Sequence, residues 1–250
     1  MAGIVVDRMM KELHAQGQTI EDIEEVLKGV PIHPKIVPAI KSAYALGCDL
    51  RVVSDANVFF IEIILEHLGI RDYFSEINTN RGYVDDEGRL QILHYVDFHT
   101  SPHGCNLCPP NTCKEEKKRL IYLGDGSGDF CPSLKLGEGD FVMPRKYFPA
   151  WNLINENWTF VKASVHEWTD GEELEHVLLQ LINTINIVES QMLSAECKFQ
   201  TMPIAAHGAL PWALPQPARS ISIRIFSAIC QMDLIEGNQK FKKVILGIIS

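Results

Sequence analysis

Residues 121–130, IYLGDGSGDF, join a short apolar run to a glycine-rich loop that holds two aspartates, Asp125 and Asp129. The apolar run is typical of a buried strand, and the glycines of the loop let the backbone approach a ligand closely. Mg²⁺ usually takes only one or two protein carboxylates together with phosphate oxygens. The stretch therefore predicts a magnesium site at the end of a strand, although taken alone it also suits a solvated turn.

The pattern around this stretch alternates strands with helices. Apolar runs predict strands at 50–53, 74–80, 121–124 and 141–145, and helical periodicity predicts helices at 19–27, 34–46 and 58–68. A small hairpin is expected around Glu87 and Gly88. Such alternation favours a mostly parallel, doubly wound α/β sheet, whose ligands lie at the carboxyl ends of the strands.

A second polar loop, SDAN at residues 54–57, follows the strand predicted at 50–53. Ser54 offers a hydroxyl and backbone N–H groups to a phosphate. Because the carboxyl ends of parallel strands meet at one edge, Ser54 is expected to lie near Asp125 and Asp129. The two loops together predict a metal-assisted phosphoryl site.

Composition and charge limit the partners. The chain has 250 residues, a net charge of -9 and no block of basic residues, which argues against nucleic acid and anionic membranes as partners. No run of about 20 apolar residues and no secretory signal are present, so we expect a cytoplasmic protein. The sequence leaves room for a homo-oligomer.

Seven cysteines in such a chain favour free thiols or metal ligands over disulfides. Four soft ligands cluster in the pattern H-x-C-x2-C-x4-C, namely His103, Cys105, Cys108 and Cys113. They suit a tetrahedral zinc site, yet thiols packed beneath the rim of an active site would give the same pattern.

The motifs resemble those of the haloacid dehalogenase superfamily of phosphatases. VVSDAN at 52–57, Lys114 in CPPNTCK, and IYLGDGSGD at 121–129 are similar to its second, third and fourth motifs. More narrowly, residues 8–185 resemble the phosphatase-orphan subgroup, including plant members described as pyrophosphatase-like or thiamine-phosphate phosphatase-like. The resemblance implies a doubly wound parallel sheet with a helical cap.

The resemblance also implies roles for individual residues. Ser54 would bind the transferring phosphoryl group, Lys114 would neutralise its charge, and Asp125 would ligate Mg²⁺. Asp129 would orient the metal shell or the lysine, and Asp55 and Asn57 would lie near the leaving group. The implied substrate is a small phosphorylated metabolite or pyrophosphate, hydrolysed through an aspartyl-phosphate.

The family's first motif, Asp-x-Asp-x-Thr, is missing. The nearest candidate is GIVVDRMMK, in which Asp7 is followed by Arg8 and Met9. Asp7 is either a surviving nucleophile without its acid partner, or an accident where a first strand joins the middle of the cap after a deletion. Only five residues separate Lys114 from the strand at Leu120, which is short for a parallel crossover.

The sequence predicts four parts. Residues 1–7 are the remnant of the first core strand, 8–46 a truncated helical cap, 47–190 the core, and 191–250 an atypical, poorly ordered tail or an amphipathic partner-binding segment. The departures lead to the hypothesis of a truncated isoform, either an impaired magnesium-dependent phosphatase or an inactive binding or regulatory protein.

Overall fold

The computed structural model describes residues 2–93, 118–197 and 221–225, and describes the side chains of 7–93, 118–191 and 221–225. The strands are β1 (Asp49–Asn57), β2 (Phe74–Val84), β3 (Leu90–Leu93), β4 (Arg119–Gly124), β5 (Phe141–Pro144), β6 (Ser164–Val165) and β7 (Ile221–Ile225). The helices are α1 (Ala2–Ala15), α2 (Ile20–Lys28), α3 (Ile36–Ala45), α4 (Val58–His67), α5 (Phe130–Ser133), α6 (Pro149–Glu156) and α7 (Gly171–Cys197). The mixed α/β fold predicted from the alternation is confirmed.

The strands of the described residues form one sheet in the order β3-β2-β1-β7-β4-β5-β6. All neighbours are parallel except β2 and β3, which form the predicted hairpin. Gly88 at its turn has φ 74°, a left-handed conformation that glycine adopts without steric cost. Residues 81–84 of β2 pair with β3, whereas its earlier residues pair with β1.

Helices α3 and α7 cover one face of the sheet. The apolar side of α7 faces the sheet, and its side chains Leu174, Leu178 and Ile182 are buried in this core. Helix α3 packs against α7 through Ala39 and Ala43, whose small side chains allow the helices to approach closely. Helix α3 thus packs in the same layer as α7.

A second apolar cluster joins α1 and α2 to α4 and the hairpin, with Met10, Leu27, Phe60 and Leu90 among its buried side chains. Thr19 begins α2 with the predicted capping box, because its side chain accepts from Asp22 N and the Asp22 carboxylate accepts from Thr19 N. These two helices therefore pack together with α4 and the hairpin around this second cluster.

Two predictions for the chain ends are wrong. Residues 2–7 are the first half of helix α1, not a strand remnant, because the helical pattern of the following residues extends back through them. Residues 221–225 are not a poorly ordered tail but a fully buried strand between β1 and β4. Apolar residues alternate with Ser222 and Arg224 there, which is a strand signal that the preceding Pro- and Ala-rich run obscures.

Candidate functional site

The predicted phosphate and metal loops lie at the same edge of the sheet. Val52, Ile225 and Leu123 are in register across β1, β7 and β4. Ser54 and Asp125 each come two residues after this row, and both are buried. Since neighbouring strands are 4.7–4.9 Å apart, about 10 Å separates the ends of β1 and β4, with β7 between them. That gap suits a phosphate held between Ser54 and a metal on Asp125.

Asp129 lies beneath the glycine-rich loop and folds back onto the strand that precedes it. Its carboxylate accepts hydrogen bonds from Tyr122 Oη at 2.7 Å and from Gly126 N at 2.8 Å. A Cβ on Gly124 would overlap this carboxylate, so only glycine fits at that position. The loop geometry is thus fixed by Gly124, Tyr122 and Asp129 together.

Burial is the main cause that raises the pKa of Asp129 well above its usual range, and the negative charge of Asp125 raises it further. The hydrogen bonds from Tyr122 and Gly126 act in the opposite direction. Two carboxylates close together in a buried place repel each other unless a cation or a proton neutralises them. This environment is suited to a bound cation.

The loop of Asp125 is also held from the β5 side. Arg145 N donates to Gly124 O at 3.0 Å, and Ala150 N donates to Asp125 O at 3.1 Å. The segment between Arg145 and Ala150 therefore lies directly against the candidate metal loop. The motif comparison by sequence did not single out this segment, because its contribution is made by backbone atoms.

Ser54, Asp55 and Asn57 lie at the end of β1, as predicted. Asn57 is fully buried, and its side chain begins α4 by accepting from Phe60 N at 3.0 Å. This contact makes Asn57 a helix cap, and its predicted position near the leaving group stays a prediction. Ser54 Oγ accepts from Ala56 N at 3.1 Å, so the serine stabilises its own turn.

Asn80 and Tyr122 support the site and were missed by sequence reasoning. Asn80 Nδ2 donates to the carbonyls of Asp55 and Ala56, both at 2.8 Å, and so ties β2 to the serine loop. Tyr122 supplies the hydroxyl that holds Asp129. A tyrosine in an otherwise aliphatic buried strand is a usable signal, because its hydroxyl needs a partner.

Asp7 lies on α1, where its contacts are with the helix itself and the hairpin. Its carboxylate pairs with Lys11 at 2.7 Å and accepts from Ile92 N at 3.4 Å. Asp7 is therefore tied to β3 at the outer end of the sheet, three strands from β7 in the sheet order. These contacts favour a structural role over a nucleophilic one.

Lys114 and the proposed zinc ligands His103, Cys105, Cys108 and Cys113 lie outside the described residues. Among the residues that the structure does describe, no group of three or more His, Cys, Asp or Glu side chains could hold a metal ion. Mg²⁺ still fits the loop, because it needs only one or two carboxylates and takes its other ligands from water and phosphate. In the same part of the chain, no helix is long and apolar enough to cross a membrane.

Comparison with known proteins places this site in a family. Residues 4–182 match the family model described as "Putative Phosphatase". The chain is 56% identical to inorganic pyrophosphatase 1 of Arabidopsis thaliana over 220 residues, covering 80% of this chain and 75% of the relative. It is 52% identical to a thiamine phosphate phosphatase-like protein of Arabidopsis thaliana over 195 residues, covering 72% and 80%.

More distant relatives include the human phosphoethanolamine/phosphocholine phosphatase, to which the chain is 30% identical over 200 residues. The alignment covers 72% of this chain and 73% of the relative. The family match spans the serine loop, the glycine-rich aspartate loop and the first part of α7. The chain therefore belongs to this family of phosphatase-orphan proteins within the haloacid dehalogenase superfamily.

Proposed function

We propose that this chain binds a small phosphate monoester or pyrophosphate together with Mg²⁺, and that its hydrolysis through an aspartyl-phosphate is impaired. The binding half of the proposal is carried by one observation. Ser54 and Asp125 lie at the same level on either side of β7, with the buried carboxylate of Asp129 behind the metal loop. Relatives named as an inorganic pyrophosphatase and a phosphatase of phosphoethanolamine support the choice of substrate class.

Each residue has a physically distinct task in this proposal. Asp125 would hold the metal ion, and Asp129 would add negative charge and keep the loop closed through Tyr122 and Gly126. When bound, Mg²⁺ would screen the negative charge of the phosphate oxygens and orient them. Ser54 would hydrogen-bond the phosphate. Lys114 is proposed as the second positive charge beside the phosphate, in addition to Mg²⁺.

The proposed impairment of hydrolysis follows from strand β7, which lies between Ser54 and Asp125. A carboxylate that attacks a phosphate held between Ser54 and Asp125 would best be placed at the end of that middle strand. The middle strand is β7, and the sequence that follows it, Phe226 to Met232, contains neither Asp nor Glu. Asp7 is held instead by Lys11 and Ile92 at the hairpin. In this proposal the described residues supply a phosphate and metal cradle, and neither Asp7 nor residues 226–232 supply a matched nucleophile.

The proposal is tested by separating binding from turnover in the same chain. Binding of imidodiphosphate, a pyrophosphate analogue with a stable bridge, is measured by calorimetry with and without Mg²⁺. We expect binding that requires Mg²⁺ and that falls at least tenfold in Asp125→Asn. Asp7→Asn is the matched control, since it removes an equal charge from α1 and should leave binding unchanged.

Turnover of pyrophosphate and of p-nitrophenyl phosphate completes the test. We expect rates far below those of a complete family member, and equal rates in the wild type and Asp7→Asn. Turnover that disappears in both Asp7→Asn and Asp125→Asn would make Asp7 the nucleophile and contradict the proposed impairment. Failure of the folded chain to bind the analogue in Mg²⁺ would contradict the binding half.

A further inference from the structure

Tyr147 has an unusual backbone conformation beside the candidate site. Its φ is 68°, and it is the one residue other than glycine with a positive φ in the described parts of the chain. A side chain makes this left-handed region unfavourable, so such residues persist where their surroundings hold them. Tyr147 nevertheless exposes 74% of its surface. Burial of the ring therefore does not account for the tyrosine at this position.

Contacts on both sides of Tyr147 hold the strained segment in place. Lys146 N donates to Trp168 O at 2.7 Å, and the Lys146 ammonium pairs with Glu167 at 2.6 Å. The guanidinium of Arg145 lies over the ring of Phe148 at 4.0 Å. The backbone is thus fixed immediately before and after the tyrosine, which leaves its ring as the exposed element of a rigid turn.

This turn adjoins the metal loop. Arg145 and Ala150 donate backbone hydrogen bonds to Gly124 and Asp125. Tyr147 is two residues from Arg145, so their Cα atoms are at most about 8 Å apart. The turn follows β5, whose carboxyl end is in register with Gly124 of β4. The turn that carries Tyr147 therefore lies directly beside the loop of Asp125.

The ring of Trp151 lies next to the ring of Tyr147. The rings of Tyr147 and Trp151 are 5.5 Å apart at an angle of 60°. Trp151 is fixed because its Nε1 donates a hydrogen bond to Glu167. An edge-to-face pair is favourable by about 0.5–1.5 kcal/mol. The contact with Trp151 therefore favours one orientation of the exposed tyrosine ring.

Resting on the proposed function, we propose that Tyr147, held by Trp151, determines specificity by binding a flat aromatic or heteroaromatic leaving group of a phosphate ester. The phosphate would lie at Ser54 and Asp125, and the organic group would lie against the tyrosine ring. Stacking of flat rings favours this class over aliphatic esters of equal charge. In this proposal the strained turn presents the ring beside the metal loop.

The test compares two probes that differ only in the organic group, phenylphosphonate and n-butylphosphonate, whose C–P bonds are not hydrolysed. Affinities are measured by calorimetry in Mg²⁺ for the full chain. We expect phenylphosphonate to bind roughly two- to tenfold more tightly than n-butylphosphonate, the range that aromatic pairing supplies. Inorganic phosphate serves as the reference for the phosphate end alone.

Variants at position 147 distinguish the contribution of the tyrosine ring from that of the backbone conformation. Tyr147→Gly should abolish the preference while keeping the fold, since glycine suits the positive φ, and Tyr147→Phe should retain the preference. Trp158→Ala is the matched control, because Trp158 is 72% exposed and lies beyond the far end of α6. This control should keep the preference.

Two results would overturn the inference, and they differ in what else they contradict. Equal binding of both phosphonates by the wild type, or a preference that survives in Tyr147→Gly, contradicts the role of the ring and leaves the proposed function intact. Absence of binding for phosphate, both phosphonates and imidodiphosphate contradicts the proposed function and the inference together.

Discussion

Strands β4 and β7 lie side by side at the centre of the sheet, and both end at the same edge. The end of β4 carries the glycine-rich loop, in which Asp129 accepts from Tyr122 and Gly126. Strand β7 is equally buried but brings isoleucines to one face and Ser222 and Arg224 to the other. The comparison teaches that two neighbouring, equally buried strands can differ in the polar groups that they carry.

A change in the packing of β7 should have the largest effect on stability. Ile223 is fully buried in the core beneath α3 and α7, so Ile223→Ala should lower the free energy of unfolding by about 2–5 kcal/mol. Ile187→Ala, on the exposed side of α7, is the control and should cost less than about 0.5 kcal/mol. Urea denaturation measures both. Equal, small effects would mean that β7 does not occupy the centre of the sheet.

The close fit in the β4 loop should give the next largest effect. Gly124→Ala places a methyl group against the Asp129 carboxylate and should cost about 1–3 kcal/mol of stability, with loss of Mg²⁺-dependent binding of imidodiphosphate. Gly29→Ala is the control, since a Cβ there meets only ordinary contacts at 3.5 Å and φ is negative. Normal Mg²⁺-dependent binding in Gly124→Ala would show that the loop geometry is not needed.

The raised pKa of Asp129 predicts that the free energy of unfolding depends on pH. Strand β7 has no carboxylate that would add a similar dependence. The folded chain retains this proton at pH values where the unfolded chain has lost it, so the free energy of unfolding should fall as pH rises from about 4 through the raised pKa. Asp129→Asn should flatten that decrease in metal-free buffer and weaken stabilisation by Mg²⁺. Urea titrations at several pH values, with chelator, measure the slope. An unchanged slope in Asp129→Asn would assign the decrease to other groups.

Removal of an unpaired buried hydroxyl on β7 should have the smallest effect on stability. The buried hydroxyl of Ser222 has no hydrogen-bond partner within the described part of the chain, so Ser222→Ala should be neutral or stabilising by up to about 1 kcal/mol. Ser133, near the β4 loop, is equally buried but donates to Asp129 O at 2.7 Å. Ser133→Ala should therefore destabilise by about 1 kcal/mol. Thermal unfolding that ranks the two variants in the opposite order would contradict the comparison.

Much of the fold could be predicted from local patterns. The strands around Val52 and Ile121, the cap at Thr19 and the hairpin at Gly88 all follow from periodicity and turn chemistry, which act over a few residues. The meeting of Ser54 with Asp125 could be predicted because parallel strands bring their carboxyl ends to one edge. The placement of residues 2–7 in α1 was missed, since a short apolar run suits a strand or a helix equally well.

The sequence by itself determined the family, the two polar loops and the α/β alternation, because these depend on residue types at short spacing. Tertiary structure alone decided which strand fills the centre of the sheet and where Asp7 lies. It also decided that Tyr147 lies beside the metal loop. Each of these depends on contacts between distant segments, whose free energy comes from shared burial and paired backbone groups rather than from local pattern.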